Sequence, residues 1–428
     1  MLTNLHNFSI INAKFLKWEV IIMSLEISNK SNSLNNPKSI RKFEEEMTLY
    51  QKLYDLKCIA RNVRVTKECF DYCKFKRNFI IIVLYDKNGR VYLKESGIKQ
   101  FTFLGGEVLQ NESVREAVKR VICHLVKKTT IEELEPIAIS KDVFRYELET
   151  IEHFGLVVMA RIDLETELKI EKNFYPINTA VFECINQFSD KKILEIFKQR
   201  FTNIIQCNNH EFQDKEIEVN KKYKSRYQFH NEFIKKYVLT SKRKKKDKLI
   251  QIMSKKTIGC STFLDVSCGD NSLLFSLNYD NNFEFIVAND ISWSQIELIS
   301  PQEKVIFTNH NAITFPFRDN VFDFVYCSNT MHHIPNRENL INLLKSMLRV
   351  GKKVVIYEIE NPEITGGFPY YLNKYWYRGF LKDAGEEYLS YREFEDIIIE
   401  TCKGKAKVKF SNFRNIQGNY MIAEIEKR

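Results

Sequence analysis

Two acids and a glycine, each where a strand-like run ends, are the first residues of this chain with a plain chemical use. In FLDVSCGDNS, Phe263 to Ser272, a strand-like run enters a short loop and Asp265 stands at its end. A carboxylate there can take an ammonium group directly or through water, and Gly269 lets the backbone approach a ligand closely. Asp290 lies 25 residues further on and closes a second run, FEFIVAND, where its two oxygens can accept both hydroxyls of a ribose. His332, His333, Tyr357 and Glu358 follow two later runs and could move a proton, with His333 and Tyr357 as the catalytic candidates. For each of these four, a capping or core role is the commoner use.

Such residues need a frame that gathers strand ends. TFLDV (262–266), FEFIVAND (283–290), KVIFTN (304–309), FDFVYCSN (322–329) and KKVVIYEIE (352–360) are short, β-branched and aromatic, as buried parallel strands are. NSLLFSL, SWSQIELI and NRENLINLLKSMLRV fall between them and fit helices. The alternation predicts an α/β fold, a Rossmann-like doubly wound and mostly parallel sheet over 256–428. KAKVKFSNFR and QGNYMIAEIEKR close its edge as an antiparallel pair. Ligands of such sheets sit beyond the carboxyl ends of the strands, where the strand order reverses.

These blocks resemble the class I S-adenosylmethionine-dependent methyltransferases, in particular the methyltransferase type 11 branch. FLDVSCGDNSLLFSL resembles the first motif of that family and IVANDIS the second. HNAITFPFRDNVFDFVYCSNTMHHI is similar to the third and fourth blocks, and LLKSMLRVGKKVVIYEIENP to the following helix and fifth strand, so the resemblance covers about 220–428. It implies S-adenosyl-L-methionine as cofactor and no metal. The cofactor-binding positions it implies are Asp265, Ser267, Gly269, Asn271, Asp290, Ile291, Asn311, Ala312 and Ser328. Ser267 and Asn271 stand where the family usually has Gly, and Asn311 where it has Asp. Ser is the next smallest residue, Asn tolerates positive φ, and Asn311 keeps an amide to offer near the adenine. Methyl transfer from a sulfonium is an in-line displacement from an activated donor, so alignment is the main task. The aromatic segment GGFPYYLNKYWYRGF (366–380) is the expected acceptor pocket, for a small-molecule or nucleotide-linked methyl acceptor. Ser328-Asn329-Thr330-Met331 replaces the Asn/Asp-Pro-Pro-aromatic motif of adenine methylases, which argues against DNA adenine methylation.

The amino-terminal half reads differently. NFIIIVLYDKNGRVYLKE predicts a hairpin turning at Asp86-Lys87-Asn88-Gly89, and FTFLGGEVLQNESVREAVKRVICHLVKK a strand, a Gly-Gly turn and a helix. The second segment resembles the Nudix box at Gly106, Glu112, Arg120 and Ile122, but Val121, His124 and Leu125 stand where its later glutamates belong, and Lys127 replaces its last Gly. Hard cations need anionic oxygen ligands, so this helix is not expected to assemble a magnesium site. The expectation is an α+β Nudix-like domain over 46–205 with a degenerate box, used for binding or scaffolding. Two alternatives stay open: a Nudix-type nucleoside diphosphate hydrolase, and a non-enzymatic nucleotide- or RNA-binding protein.

Between Lys221 and Lys255 thirteen Lys and Arg face two acids, an excess of eleven that accounts for the whole formal charge of +10. The expectation for 206–255 is a basic helical linker, with nucleic acid as a possible partner through Lys221 to Lys255 and a solvated helix as the plainer reading. No run approaches the roughly 18 apolar residues of a membrane span. Ten dispersed cysteines with no Cys-x-x-Cys pair fit reduced thiols in a cytoplasmic protein. Residues 1–45 read as a disordered or mis-assigned leader, with Met23 as an alternative start.

Overall fold

The computed structural model describes residues 41–74, 78–95, 101–109, 111–123, 125, 131–162, 173–176, 188–206, 210–233, 253–269, 283–297, 299, 304–383, 385, 387–414 and 418–428. Residues 1–40 of the expected leader, the helix NSLLFSL, Asn271, His124 and most of the basic run lie outside these, whereas 41–45, also assigned to the leader, begin a helix. Two compact units form, the first from described residues of 1–131 and 135–200, the second from those of 132–134 and 201–428.

The first unit opens with helix α1 (Arg41–Leu53), strand β1 (Lys57–Arg64) and helix α2 (Lys67–Cys73). Strands β2 (Phe79–Tyr85) and β3 (Val91–Tyr92), a small pair β4 (Lys94–Glu95) and β5 (Phe101–Thr102), and β6 (Leu104–Glu107) lead to α3 (Val114–Ile122). Then come β7 (Ile131–Tyr146), β8 (Glu149–Ile162), β9 (Phe174–Tyr175) and α4 (Phe188–Gln206). The main sheet runs β1-β7-β8-β2-β3-β9, with β6 also on β2. Its pairs are parallel at β1–β7 and β8–β2 and antiparallel at β2–β3, β2–β6 and β3–β9, so the unit is a mixed α+β domain. FIIIVLY becomes a central strand because an apolar run this short can be covered on both faces. The predicted hairpin turns where expected: Gly89 takes φ +72 and its N–H donates to the Asp86 carbonyl at 2.9 Å. Helix α3 starts at Ser113, which forms a reciprocal capping box with Glu116.

In the second unit helices α5 (His210–Lys222) and α6 (Lys224–Phe233) precede β10 (Thr262–Asp265), β11 (Phe285–Asn289), the short α7 (Trp293–Ile296), β12 (Val305–Thr308) and β13 (Phe322–Ser328). Helix α8 (Arg337–Val350) and β14 (Gly351–Ile359) follow, then α9 (Pro362–Thr365), α10 (Gly367–Leu372), a π-helix at Asn373–Leu381, α11 (Tyr391–Cys402), β15 (Ala406–Arg414) and β16 (Asn419–Lys427). The sheet order is β12-β11-β10-β13-β14-β16-β15. Strands β10 to β14 are parallel, and β16 and β15 run antiparallel at the edge. Each predicted strand is present within a residue or two of its expected bounds, and the edge pair is as expected. The order reverses at β10, between β11 and β13, so the crevice lies at the carboxyl ends of those three strands. Phe263, Ile286, Phe324, Val355 and Tyr357 join one buried cluster of this sheet.

One expectation changes here. Helices α5 and α6, assigned from charge to a linker, belong to the second unit: Asn220 of α5 accepts a hydrogen bond from buried Gln295 of α7 at 2.8 Å. Charge composition marks a solvated face but does not say what the opposite face covers. Among the described residues, no helix is long and apolar enough to cross a membrane.

Candidate functional site

The loop after β10 is pinned to the ends of β11 and β13 by main-chain bonds. Val266 N–H donates to the Tyr326 carbonyl and Cys268 N–H to the Asn289 carbonyl, both at 2.8 Å. These bonds turn the chain so that Gly269 N–H reaches the Asp290 carboxylate at 3.1 Å, while Ser292 N–H binds the other carboxylate oxygen at 3.0 Å. Two of the predicted residues, distant in sequence, therefore share a hydrogen bond. Burial raises the Asp290 pKa, the two N–H donors oppose it, and the outcome is about 6.

Asn289, which sequence reading passed over, ties this arrangement together. Its amide nitrogen donates to the Val266 and His310 carbonyls, both at 3.0 Å, and its oxygen accepts from Thr308 Oγ1 at 3.0 Å and His310 N–H at 2.8 Å. A buried amide with both ends satisfied fixes three strand-end loops together. Its place immediately before Asp290 was the available signal. Asn311 accepts from Ile313 N–H at 3.0 Å and so caps the single 3₁₀ turn that begins at buried Ala312. Ser267, Ile291 and Ser328 lie half-buried around the same strand ends, and Asp265 is buried at the end of β10. Asn271 lies outside the described residues.

A second polar group forms beyond β13 and β14. Glu358, buried on β14, accepts from Thr330 N–H at 2.9 Å, Met331 N–H at 2.7 Å and His332 Nδ1 at 2.7 Å. His333 Nδ1 faces Glu216 of α5 at 3.2 Å and its Nε2 faces Asp383 at 3.5 Å. Burial alone would depress the His333 pKa, but the charges of Asp383 and Glu216 outweigh it and carry the pKa up to about 10. The two carboxylates therefore favour the protonated imidazole, which makes His333 an ion-pair partner of Asp383 and Glu216 in this arrangement rather than a free base. Tyr357 also differs from its catalytic expectation. It stacks on Tyr420 at 4.5 Å inside the sheet cluster, and burial pushes its phenol pKa upward. The sheet's alternation turns this side chain into the core, whereas its neighbour Glu358 faces the site.

The aromatic segment forms a π-helix that ends two residues before Asp383, a form that often marks functional sites. Trp376 Nε1 donates to His230 Nδ1 at 3.0 Å, and Arg226 donates to the Phe380 carbonyl at 2.9 Å, so α6 holds the segment down. His332 stacks on Tyr388 with centroids 4.6 Å apart.

The strand-end acid, its glycine loop and the strand order lead to a family comparison. Residues 264–356 match the sequence model of a family described as a methyltransferase domain. This chain is 28% identical over 145 residues to a demethylmenaquinone methyltransferase of Bacillus licheniformis, a match over 30% of this chain and 58% of the relative. The chain thus spans less than two thirds of the curated relative it matches. Among solved structures, plantazolicin methyltransferase BpumL is similar at 13% identity over 50% of this chain and 99% of that one, with a TM-score of 0.35. Human N-acetylserotonin methyltransferase is similar at 13% identity over 42% of this chain and 51% of that one, with a TM-score of 0.33.

In the first unit, Arg120 binds Glu112 through Nε at 2.7 Å and Nη2 at 2.9 Å, and binds the Glu107 carbonyl at 2.5 Å. The one box carboxylate kept at its spacing is thus neutralised by an arginine. Gly106 lies in β6, and Leu125 is half-buried.

Proposed function

We propose that the second unit binds S-adenosyl-L-methionine and transfers its methyl group to a small-molecule or nucleotide-linked acceptor. The observation that supports this most is the Gly269–Asp290 hydrogen bond at the switch point of the sheet. Each Asp290 oxygen takes one backbone donor and keeps a further lone pair, which suits the two hydroxyls of a ribose. Gly269 takes φ +49, and a Cβ there would meet no atom of the described residues within 4 Å, which supports a close approach of a ligand to this loop.

The cofactor, when bound, supplies an activated methyl on a sulfonium. Asp290 orients the ribose, Asp265 takes the amino group, and the capped turn at Asn311 and Ala312 flanks the adenine. The π-helix and Tyr388 exclude water and orient the acceptor beside His333. The first unit, with Glu112 occupied by Arg120, serves for binding or scaffolding. Among the described residues the seven cysteines form no disulfide, which fits a reducing cytoplasm. Lys224 pairs with Glu297 at 2.8 Å, and Lys221 pairs with Glu132. Nucleic-acid binding would therefore rest on the later part of the basic run.

Calorimetric titration of the full chain with S-adenosyl-L-methionine tests the proposal. One site per chain is expected, with affinity falling at least about tenfold in Asp290→Ala, as the loss of a charged buried hydrogen-bond partner implies. Absence of binding, or equal binding by Asp265→Ala and Asp290→Ala, would overturn it.

A further inference from the structure

His332, His333 and Asp383 come from two loops and place one ligand atom each within 4.8 Å of one another. Two imidazoles and a carboxylate are the donor set of open transition-metal sites, in which a further position is left for water or substrate. The surroundings are those such sites use. Histidine ligands are usually oriented by a carboxylate on the other ring nitrogen. Here Glu358 holds His332 Nδ1 at 2.7 Å and Glu216 faces His333 Nδ1 at 3.2 Å, which directs both Nε2 atoms away from the two carboxylates. Asp383 is itself fixed, accepting from Gly385 N–H at 2.9 Å.

Gly385 keeps the gap open. A Cβ on it would lie 3.1 Å from His332 Nε2, 3.3 Å from Asp383 Oδ1 and only 2.4 Å from His332 Cδ2. Any larger residue would intrude between two of the three ligands. The three carboxylates of Glu216, Glu358 and Asp383 around two imidazoles leave a net negative group even with His333 protonated, and a divalent cation that displaces the His333 proton would complete it.

We propose that His332, His333 and Asp383 bind one divalent transition-metal ion, with Glu358 and Glu216 orienting the imidazoles. Given the methyl-transfer reading above, on which this role rests, the open position takes a hydroxyl or amine of the acceptor. Coordination lowers the pKa of that group. The acceptor proton passes to solvent, the acceptor lone pair forms the new bond to the methyl carbon, and the carbon–sulfur bond breaks with its electron pair staying on sulfur. The site thus selects acceptors whose methylated atom is itself an ionisable oxygen or nitrogen.

The full chain is stripped with chelator and titrated with Zn²⁺ by calorimetry and with Co²⁺ by absorption, without cofactor. The expected result is one site per chain, with a cobalt spectrum lacking thiolate charge transfer. Affinity should fall at least about tenfold in Asp383→Asn and Gly385→Ala, and about tenfold in Glu358→Gln, as for changes at groups that orient metal ligands. Thermal melts of the stripped variants establish that they are folded. No one-to-one binding, a thiolate-type cobalt spectrum, or unchanged affinity in folded Asp383→Asn and Gly385→Ala would overturn the site and leave the group as an ion-pair lock. Because these titrations omit S-adenosyl-L-methionine, failure of the metal site is read separately from failure of the cofactor reading.

Discussion

Asp290 shows how a single carboxylate can be both anchor and sensor. Its folded pKa, about 6, lies above the 3.8 of a free aspartate, so its contribution to stability is complete below the lower value and is lost as pH rises through the upper one. Ligand hydroxyls that donate to the carboxylate favour its charged form. Cofactor affinity should therefore rise between about pH 5 and pH 7 and then level off, with proton release near pH 6, both readable by calorimetry in two buffers of different ionisation enthalpy. His333 gives a second signature, since its pKa is raised from 6.5 to about 10 by Asp383 and Glu216. That stabilisation is complete below the lower value and is lost as pH climbs through the upper one. The chelator-treated chain should lose on the order of 2 kcal/mol between pH 7 and pH 10, and Asp383→Asn should lose less over the same range, both measured by denaturant titration. Glu358→Ala leaves the donors of Thr330, Met331 and His332 without their acceptor, so about 3 kcal/mol of destabilisation is expected in the same assay.

At the scale of elements, the strands were legible and the covering layer was not. Five apolar, β-branched runs have the length and composition of buried parallel strands wherever they occur, so β10 to β14 follow from local pattern. The covering layer depends on contacts such as His333 with Glu216, 117 residues apart, which no local pattern encodes. The π-helix Asn373–Leu381 is held by Arg226 and His230 of α6. In Arg226→Ala, backbone amides of 373–381 should exchange with deuterium faster while those of α8 stay protected. The acceptor KM should rise several-fold with little change in kcat. Equal exchange in both proteins would show that α6 does not restrain the segment.

For the whole molecule, the division of labour is itself testable. With Arg120 on Glu112 and apolar residues at neighbouring box positions, the full chain should release no phosphate from nucleoside diphosphate derivatives with Mg²⁺ in a colorimetric assay. The boundary between the units also makes a prediction. A chain beginning at residue 256 lacks the Asn220–Gln295 and Glu216–His333 bonds, so it should melt at a lower temperature than one beginning at 201.

By itself, the sequence determined the parallel strands, the edge pair, the Gly269 loop and the placing of Asp290 at a strand end, because strand length, alternation and glycine freedom are local properties. It also determined that Val121, His124 and Leu125 stand where the Nudix pattern has its later glutamates, which is a matter of residue identity. Only the tertiary structure decided that Asn289 joins three loops, that Tyr357 turns into the core while Glu358 faces the site, and that α5 and α6 form part of the second unit. It alone brought His332, His333 and Asp383 together. Those outcomes depend on which distant side chains satisfy a buried polar atom, and burial is known only once the chain has folded.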